Sequence, residues 1–536
     1  MTIAKVRELS KFGVISDIDP YDLPKEAFSF ALNARFHNGH ITHSPIFRTA
    51  SVLSNASPRA LFPYSPTSGV DSVYIGYMSG RINKWSASGE TNFSIASYVD
   101  SNSSSNFTST TLADILYVNR DDRAPWRLKS SDSAFVSLEH WDATWRASLI
   151  RSCGGALVAL GITKAGVAHP TMYKTSNFAL SGAVPSTWDE TDPTNNATEN
   201  IFSGMEGQIV DAALLRNVLI VYAGNETWLL EADGSTAVFD NRRIFSNAGA
   251  INANCSVEVE GQHYVFGLND LWTHDGSSKT SIADHKVRDF VFGSLNVAKR
   301  AYCSVQYNAP LNQILFAYQS IEDGINFQGA DGANRGAVYD LKEKTWTYVD
   351  LPFVFASASA GIGASLTWDG LLGTWDALGG SWASFDPSLQ KTITMIGETN
   401  ATFGLVGSLY AYDLYSHGSV STFPVAVNAS PGMTLYRDGI DLDELGADLR
   451  GHKTIRAIYP QARLDAGTTL DFSFGCADSY NATPVFSDYM SYDGVTLNKC
   501  DFMASGRYLS MKARFNSYKY VSVSGYDVDL EVTSEM

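Results

Sequence analysis

The 536-residue chain is short of charge and of cysteine, and it contains no long hydrophobic run. Only 18% of its residues are charged, below the usual quarter or so. Helical surfaces rich in Glu and Lys therefore cannot dominate. The five cysteines, Cys153, Cys255, Cys303, Cys476 and Cys500, are scattered, odd in number and nowhere spaced as CxxC. That pattern excludes a disulfide framework or a zinc site and points to reduced thiols. The longest apolar stretches, Ala156 to Ile162 and Val218 to Tyr222, fall far short of the roughly 18 residues of a membrane span. Met1 to Leu9 carries charges with no apolar stretch after it, so no secretory signal is expected. Absent too are a GxSxG elbow, a P-loop, an HExxH pair and a GxGxxG turn in a βαβ setting. The sequence thus singles out no catalytic, cofactor-binding or metal-ligating residue, and no cofactor is expected.

What is present is apolar and aromatic. Hydrophobic residues make up 44% of the chain, with 28 Phe, 26 Tyr and 11 Trp. That is enough to build large cores and too much for a disordered chain. The length predicts two to four domains. The formal charge is −17, from 56 acidic and 39 basic side chains. So acidic a chain is not built to hold DNA by neutralising phosphates over its whole surface.

Strand signals prevail. Leu509, Met511, Ala513 and Phe515 alternate with Tyr508, Ser510, Lys512 and Arg514. Tyr526, Val528, Leu530 and Val532 alternate with Asp527, Asp529 and Glu531. This period of two gives each strand one face for a core and one for water. Ala31 to Phe36 and His40 to Phe47 flank Asn38-Gly39, a dipeptide suited to a type I′ turn because both central residues need positive φ. Short helices are expected at Ala283 to Val291 and Gly439 to Leu449.

A unit recurs through the middle: an apolar strand, a strand bearing a Trp, a tight turn and another strand. Val218 to Tyr222 precedes Trp228, with a turn at Asp233-Gly234 and a strand at Ala237 to Phe239. His263 to Phe266 precedes Trp272, with a turn at Asp275-Gly276 and a strand at Thr280 to Ile282. Val73 to Tyr77 precedes Trp85, Leu116 to Val118 precedes Trp126, and Ile314 to Tyr318 with Ala337 to Tyr339 precedes Trp346. The clearest Trp spacings are 44 (272 − 228) and 41 (126 − 85). A repeat of about 40 to 50 residues built of up-and-down strands is the signature of a β-propeller. The longer gaps are read as loop insertions near 168–202, rich in Pro, Asn and Thr, and 320–335, rich in Gly and Asn.

Several tempting sites have plainer readings. Trp368, Trp375 and Trp382 are spaced by seven, but Gly373, Gly379 and Gly380 rule out a heptad helix. Tight turns that fold each Trp onto a sheet are favoured over a stacking platform for sugar or single-stranded nucleic acid. His37, His40 and His43 straddle the hairpin turn, so their spacing alternates faces and argues against a metal site. Asp438, Asp441, Asp443, Glu444 and Asp448 form an acidic stretch without the EF-hand pattern. Neither Asp233-Gly234 nor Asp275-Gly276 belongs to a sialidase-type SxDxGxxW box. The sequons at Asn106, Asn196, Asn225 and Asn400 are of the kind a chain rich in Asn, Ser and Thr produces by chance.

The opening Phe12-Gly-Val-Ile-Ser-Asp-Ile-Asp-Pro-Tyr-Asp-Leu-Pro, followed by Ala27 to Gly39, resembles the start of tail proteins of short-tailed bacteriophages. Further stretches fit in the same order. They are His169-Pro-Thr-Met-Tyr with Ser186-Thr-Trp-Asp before Gly207-Gln-Ile-Val-Asp-Ala, then the Trp368 to Trp382 array, and lastly Arg507-Tyr-Leu with Gly525-Tyr-Asp-Val-Asp-Leu. The chain is similar to the tail nozzle or tail hub family, also called tail tubular protein B. The resemblance implies a mainly β protein: a β-propeller plus a sandwich-like, β-rich platform made by both chain ends. The expected division is 1–55 for the N-terminal part of the platform, 56–415 for the propeller and 416–536 for the C-terminal platform. It further implies a virion tail protein, assembled in the bacterial cytoplasm and without catalytic residues. It would form a hexameric ring of itself beneath the head–tail adaptor, dock tail fibres or tailspikes, and meet a needle or plug at its distal end. Double-stranded DNA would pass through the channel without specific binding. The chain lacks the long inserted tip and fibre-dock domains of some family members.

Two other functions compete. One is a propeller glycosidase or lyase acting on surface polysaccharide, which needs a carboxylate pair across a cleft. The other is a receptor-binding tail component that recognises the same host polysaccharide.

Overall fold

The computed structural model describes residues 2–55, 57–67, 71–86, 88–96, 98, 106–232, 238–322, 331–360, 392–401, 404–413, 432–440, 451–517 and 519–534. The protein is mainly β, and most of its strands lie in four-stranded antiparallel sheets.

Five such sheets follow one another along the chain, each a plain meander. The first holds Pro58–Tyr64, Ser72–Tyr77, Ile82–Ser86 and Gly89–Asn92. The second holds Phe107–Leu112, Ile115–Arg120, Trp126–Leu128 and Val136–Ser137. The third holds Arg146–Cys153, Ala156–Lys164, Val167–Thr175 and Thr198–Ile201. The fourth holds Ile209–Leu215, Val218–Ala223, Thr227–Ala232 and Phe239–Phe245. The fifth holds Ser256–Val259, Gln262–Phe266, Leu271–His274 and Lys279–Ser281.

A sixth meander, Ser304–Asn308, Gln313–Tyr318, Ala333–Asp340 and Thr345–Ala360, ends in a strand of 16 residues. The far half of that strand leaves the sixth meander and pairs with Thr392–Ala401. Thr392–Ala401 pairs with Gly404–Asp413, and that strand pairs with Ile46–Val52. A seventh four-stranded set is thereby completed from the opposite end of the chain. Ile46–Val52 lies within the segment assigned by sequence to the platform, so the boundary at 55 does not follow the strand pairing. The first strands pack against each other in series from Pro58–Tyr64 to Ser304–Asn308. Thr345–Ala360 packs against Ser304–Asn308 and also against Pro58–Tyr64, where the series began.

The Trp-marked units correspond to observed strands. Trp85, Trp126, Trp228 and Trp272 each sit on a third strand directly opposite a valine of the second: Val73, Val118, Val221 and Val265. An aromatic beside a β-branched residue is a stabilising cross-strand pair, worth about 0.2–1 kcal/mol. Trp346 differs, because it lies on the fourth strand of its meander, opposite Tyr339. The segment 168–202, read as an insertion, is sheet at both ends and loop between them. Val167–Thr175 and Thr198–Ile201 are the third and fourth strands of the third sheet, and only 176–197 between them is loop. Tyr173, fully buried opposite Leu160, stands where the other sheets carry Trp. Of 320–335, residues 323–330 lie outside the described residues, and Ala333–Asp340 is strand. The helix expected at Ala283 to Val291 forms later, at Arg288–Ser294.

The chain ends build two facing sheets. In one, Val521–Ser534 pairs with His452–Leu464 on one side and with Thr2–Arg7 and His40–His43 on the other. Ala34–His37 and Cys500–Gly506 flank this group. In the other, Phe30–Leu32 links Tyr348 of the sixth meander to Met433–Arg437, followed by Tyr508–Phe515 and Leu470–Ala477. Val6, Phe36, Ile41, Ile455, Phe474, Leu509, Met511, Val528 and Leu530 are buried in one core between them. The alternation at 509–515 and 526–530 thus points inward as its period of two requires. The Asn38-Gly39 hairpin forms with φ of 49° and 81° and pairs His37 with His40. Gly13, at φ 64°, lets the N-terminal segment pass flat against Trp346, since a Cβ there would lie 2.7 Å from Thr345 Cβ.

Candidate functional site

The meanders enclose two adjoining cavities. The smaller, about 350 Å³, lies among the first strands and is lined by Arg59, Thr108, Asn252, Tyr302, Gln306 and Ser357. The larger, about 850 Å³, opens where the chain enters the sheets and is lined in part by Asp121, Glu206, Asn225, Glu226, Arg243 and Arg300. Asn106, Asn252, Ala253 and Ala301 line both. First strands that look at one another across a confined space can satisfy polar side chains there, and these do so laterally. Thr110 and Ser152 hydroxyls lie 2.9 Å apart, joining the second sheet to the third. Arg151 Nε donates to Ala212 O at 2.5 Å, joining the third to the fourth. Asp211 accepts from Cys255 N at 3.1 Å and Ser256 Oγ at 2.9 Å, joining the fourth to the fifth. Cys255 Sγ donates to Cys303 O at 3.2 Å, and Ser304 and Ser357 hydroxyls lie 3.3 Å apart.

Arg59 closes the series. Its guanidinium donates to Tyr302 Oη at 2.8 Å and stacks 4.7 Å from the Phe355 ring centroid. It also lies 3.9 Å from Asp331, which holds Lys299 at 2.6 Å. The first strand of the first sheet is thus pinned to the last elements of the series by a cation–π contact and a charge-assisted hydrogen bond.

The Arg151–Asp211 pair, at 3.3 Å, is the buried charge pair of this region. Burial pushes the Asp211 carboxyl up, and the Arg151 charge opposes that shift. A second buried cluster joins the fourth and fifth sheets. Tyr222 Oη lies 2.6 Å from His263 Nδ1 and 2.7 Å from His274 Nε2. The flanking backbone fixes the tautomers. Gly276 N–H donates to His274 Nδ1 at 3.1 Å, so neutral His274 carries its proton on Nε2 and donates to Tyr222. His263 Nε2–H donates to Leu214 O at 2.7 Å, so its Nδ1 accepts from the Tyr222 hydroxyl. Burial pushes both imidazoles down, His274 to about 3, and pushes Tyr222 well up.

Two carboxylates at the larger cavity, Glu226 and Asp121, are tied to the fold. Glu226 accepts from Glu206 N and, at 3.1 Å, from Trp228 Nε1, and it pairs with Arg243 at 3.6 Å. Asp121 accepts from Asn106 N at 3.3 Å. Such carboxylates act as struts, holding the mouth of the cavity in shape. Among the described residues, no group of three or more His, Cys, Asp or Glu side chains is placed to hold a metal ion. No helix among them is long and apolar enough to cross a membrane.

The residues singled out from sequence lie elsewhere. His37 is 3.6 Å from Glu343, His40 is exposed, and His43 Nδ1 lies 2.6 Å from Ser44 O, so the three do not converge. Asp438 bonds Ser29 at 3.2 Å, and the rest of the acidic stretch falls outside the described residues, as do Trp368, Trp375 and Trp382. The helix expected at Gly439 to Leu449 is outside them as well, beyond Ile440. All five cysteines are free, and every one but Cys476 is buried. Asp275 makes a tight turn by accepting from the backbone of Ser277 and Ser278, each at 2.8 Å, which lowers its carboxyl pKa. Arg151, largely withdrawn from solvent, had a readable signal. It shares the parity of Ala147, Leu149 and Cys153, which places a charge on the apolar face of a strand.

No protein-family model matches the chain, and no curated protein matches it.

Proposed function

We propose that this chain is a structural subunit of a short-tailed phage tail, a nozzle or hub that conducts the genome and does no catalysis. In this reading the seven four-stranded sets are propeller blades. The last blade is closed by Ile46–Val52, and the paired chain ends form the platform. Copies assemble into a ring, six by the family resemblance, below the head–tail adaptor. Fibres or spikes dock outside, a needle or plug meets the distal end, and duplex DNA passes through in the assembled virion.

The observation that carries the reading is the pairing of Thr2–Arg7 and His40–His43 with Val521–Ser534. A platform made from both chain ends is what the resemblance implies, and these strands pair across 480 residues or more (522 − 42 = 480; 530 − 2 = 528) outside the seven four-stranded sets. The strut-like carboxylates of Glu226 and Asp121 support a non-catalytic reading over a glycosidase, because both are already engaged by the fold.

The test is electron microscopy of the purified protein with portal–adaptor complexes. Rings that add density below the adaptor are expected. Monomers only, with no added density, would refute the proposal.

A further inference from the structure

The outer strands of the first, second, third and fifth meanders are short, two to four residues each. That of the fourth is longer but carries Asp240, Arg242 and Arg243. Short or charged edges are how sheets avoid pairing with other chains. The sheet made by the chain ends is edged by longer strands, of six and seven residues, that carry exposed apolar side chains beside their charges. On one side of Val521–Ser534 lie Thr2–Arg7 and, next to it along the strand, the hairpin of His40–His43 and Ala34–His37; on the other side follow His452–Leu464 and then Cys500–Gly506, every pair antiparallel. Among the described residues, no strand pairs with the outer edge of Thr2–Arg7 or of Cys500–Gly506. Ile3 is 49% exposed on the first of these, and Met503 is 94% exposed in the middle of the second. Val485, Val495 and Leu497, in the segment leading to the second edge, are exposed as well.

We infer that these two edges mate between copies of this chain, Cys500–Gly506 of one pairing antiparallel with Thr2–Arg7 of the next. The inference names the mating surface of the ring proposed above and rests on that reading. Three features carry it. The first is polarity. Four strands alternate within one copy, so placing a second copy alongside in the same orientation keeps the alternation unbroken. The second is register. Pairing Ile3 with Met503 sets Ala4 against Phe502, Lys5 against Asp501 and Val6 against Cys500. Ala4, Val6, Cys500 and Phe502 are buried on the core face of their strands. Ile3 and Lys5 lie opposite Asp529 and Asp527, and Asp501 lies opposite Ala457, itself the partner of Asp529. The outward faces of the two edge strands therefore coincide: Ala4 and Val6 meet Phe502 and Cys500 on the core side, and Ile3 meets Met503 on the other. The third is charge. Lys5 is exposed and makes no ion pair among the described residues, and it meets Asp501 in this register. Asp501 otherwise holds only its own exposed neighbour Lys499, at 2.6 Å. Arg7, which would come opposite Lys499, is already neutralised by Asp527 at 2.5 Å. Because the two patches differ, the contact is head-to-tail, the kind that generates rings or filaments rather than two-fold dimers.

The test uses the full-length protein. In an Ile3→Cys/Met503→Cys variant the paired Cα atoms would sit about 4.5–5.5 Å apart, within reach of a disulfide. Oxidation should give a ladder of cross-linked multimers, absent from either single variant. Lys5→Asp and Asp501→Lys should each weaken self-association in the analytical ultracentrifuge, by about fivefold per contact. Mixing the two single variants should restore it, because each then meets an opposite charge on both edges. Rescue on mixing also shows that both variants are folded. A chain that stays monomeric, or single variants that associate like wild type, overturns the inference. Rings that form without the 3–503 cross-link also overturn it and leave the ring reading standing. A cross-linked ring that adds no density beneath a portal does the reverse.

Discussion

The Tyr222–His263–His274 cluster makes stability depend on pH in a direction that can be worked out. All three side chains are buried, with Tyr222 and His263 fully so and His274 2% exposed. His274 Nδ1 faces the N–H of Gly276, so a proton there would set donor against donor. Burial is the main cause of the lowered pKa, and His263 adds to it. Asp275 opposes it from outside, as Glu258 and the Leu214 hydrogen bond do at His263. His274 titrates near 3 in the folded chain against 6.5 when unfolded. Above pH 6.5 both states hold it neutral and its contribution is fully present. As pH falls from 6.5 toward 3 the unfolded chain binds a proton that the folded chain refuses, and stability is lost. The full difference is about 3.5 pH units at about 1.4 kcal/mol each, or about 5 kcal/mol. Between pH 5.5 and 4.5 His274 alone should cost about 1.4 kcal/mol per pH unit, and His263, lowered by the same burial, adds to the loss. Urea unfolding followed by fluorescence of Trp272, whose ring stacks on His274 at 5.0 Å, gives that slope. His274→Gln cannot titrate and should lower the slope by about 1.4 kcal/mol per pH unit, whatever its stability at pH 7. Carboxylates elsewhere titrate equally in both proteins and cancel. Equal slopes in wild type and His274→Gln would refute the buried, neutral assignment.

Two further outcomes follow from close contacts. Arg151→Met leaves Asp211 as an uncompensated buried carboxyl and should cost about 3–5 kcal/mol. Adding Asp211→Leu should recover much of that, and a double-mutant cycle by thermal unfolding measures the coupling. Gly13→Ala forces a left-handed residue with a Cβ 2.7 Å from Thr345 Cβ and 2.9 Å from Trp346 O. It should lower stability by about 2–4 kcal/mol, read as a lower urea midpoint with earlier exposure of Trp346.

The parts of the fold legible in the sequence were those written in local pattern. Asn38-Gly39 announced its hairpin because only residues tolerant of positive φ suit both turn positions. Trp126 and Trp228 marked third strands because each packs on a valine of the strand before it. The sheet between them escaped notice for two physical reasons. Tyr173 fills the Trp position, and the 176–197 loop stretches the repeat between third and fourth strands. The split of Thr345–Ala360 between two sheets was not legible, nor was the pairing of Ile46–Val52 with Gly404–Asp413. Those pairings join segments far apart in the chain, and a period of two says which face is apolar but not which strand lies alongside. The hydrogen bonds between neighbouring sheets were hidden for the same reason. Ser152 or Ser304 means nothing locally until Thr110 or Ser357 is brought beside it.

Burial also changes what the charge balance means. Several of the 39 basic side chains never reach the surface. Arg120 lies against Asp122, Lys174 between Glu190 and Glu199, and Arg335 between Glu322 and Asp350. Arg437, 2% exposed, donates to the carbonyls of Pro20 and Leu23, and Lys453, fully buried, donates to that of Arg507. Arg437 and Lys453 are thus withdrawn from the surface as well. The exterior is therefore poorer in cations than the composition suggests. Phosphate binding depends on cations that can displace counterions at the surface, and exposed charges act over only about 8 Å at physiological salt. In the duct proposed above, cations committed to joining strands and loops inside the fold would stabilise the wall without adding contacts that would hold the duplex back.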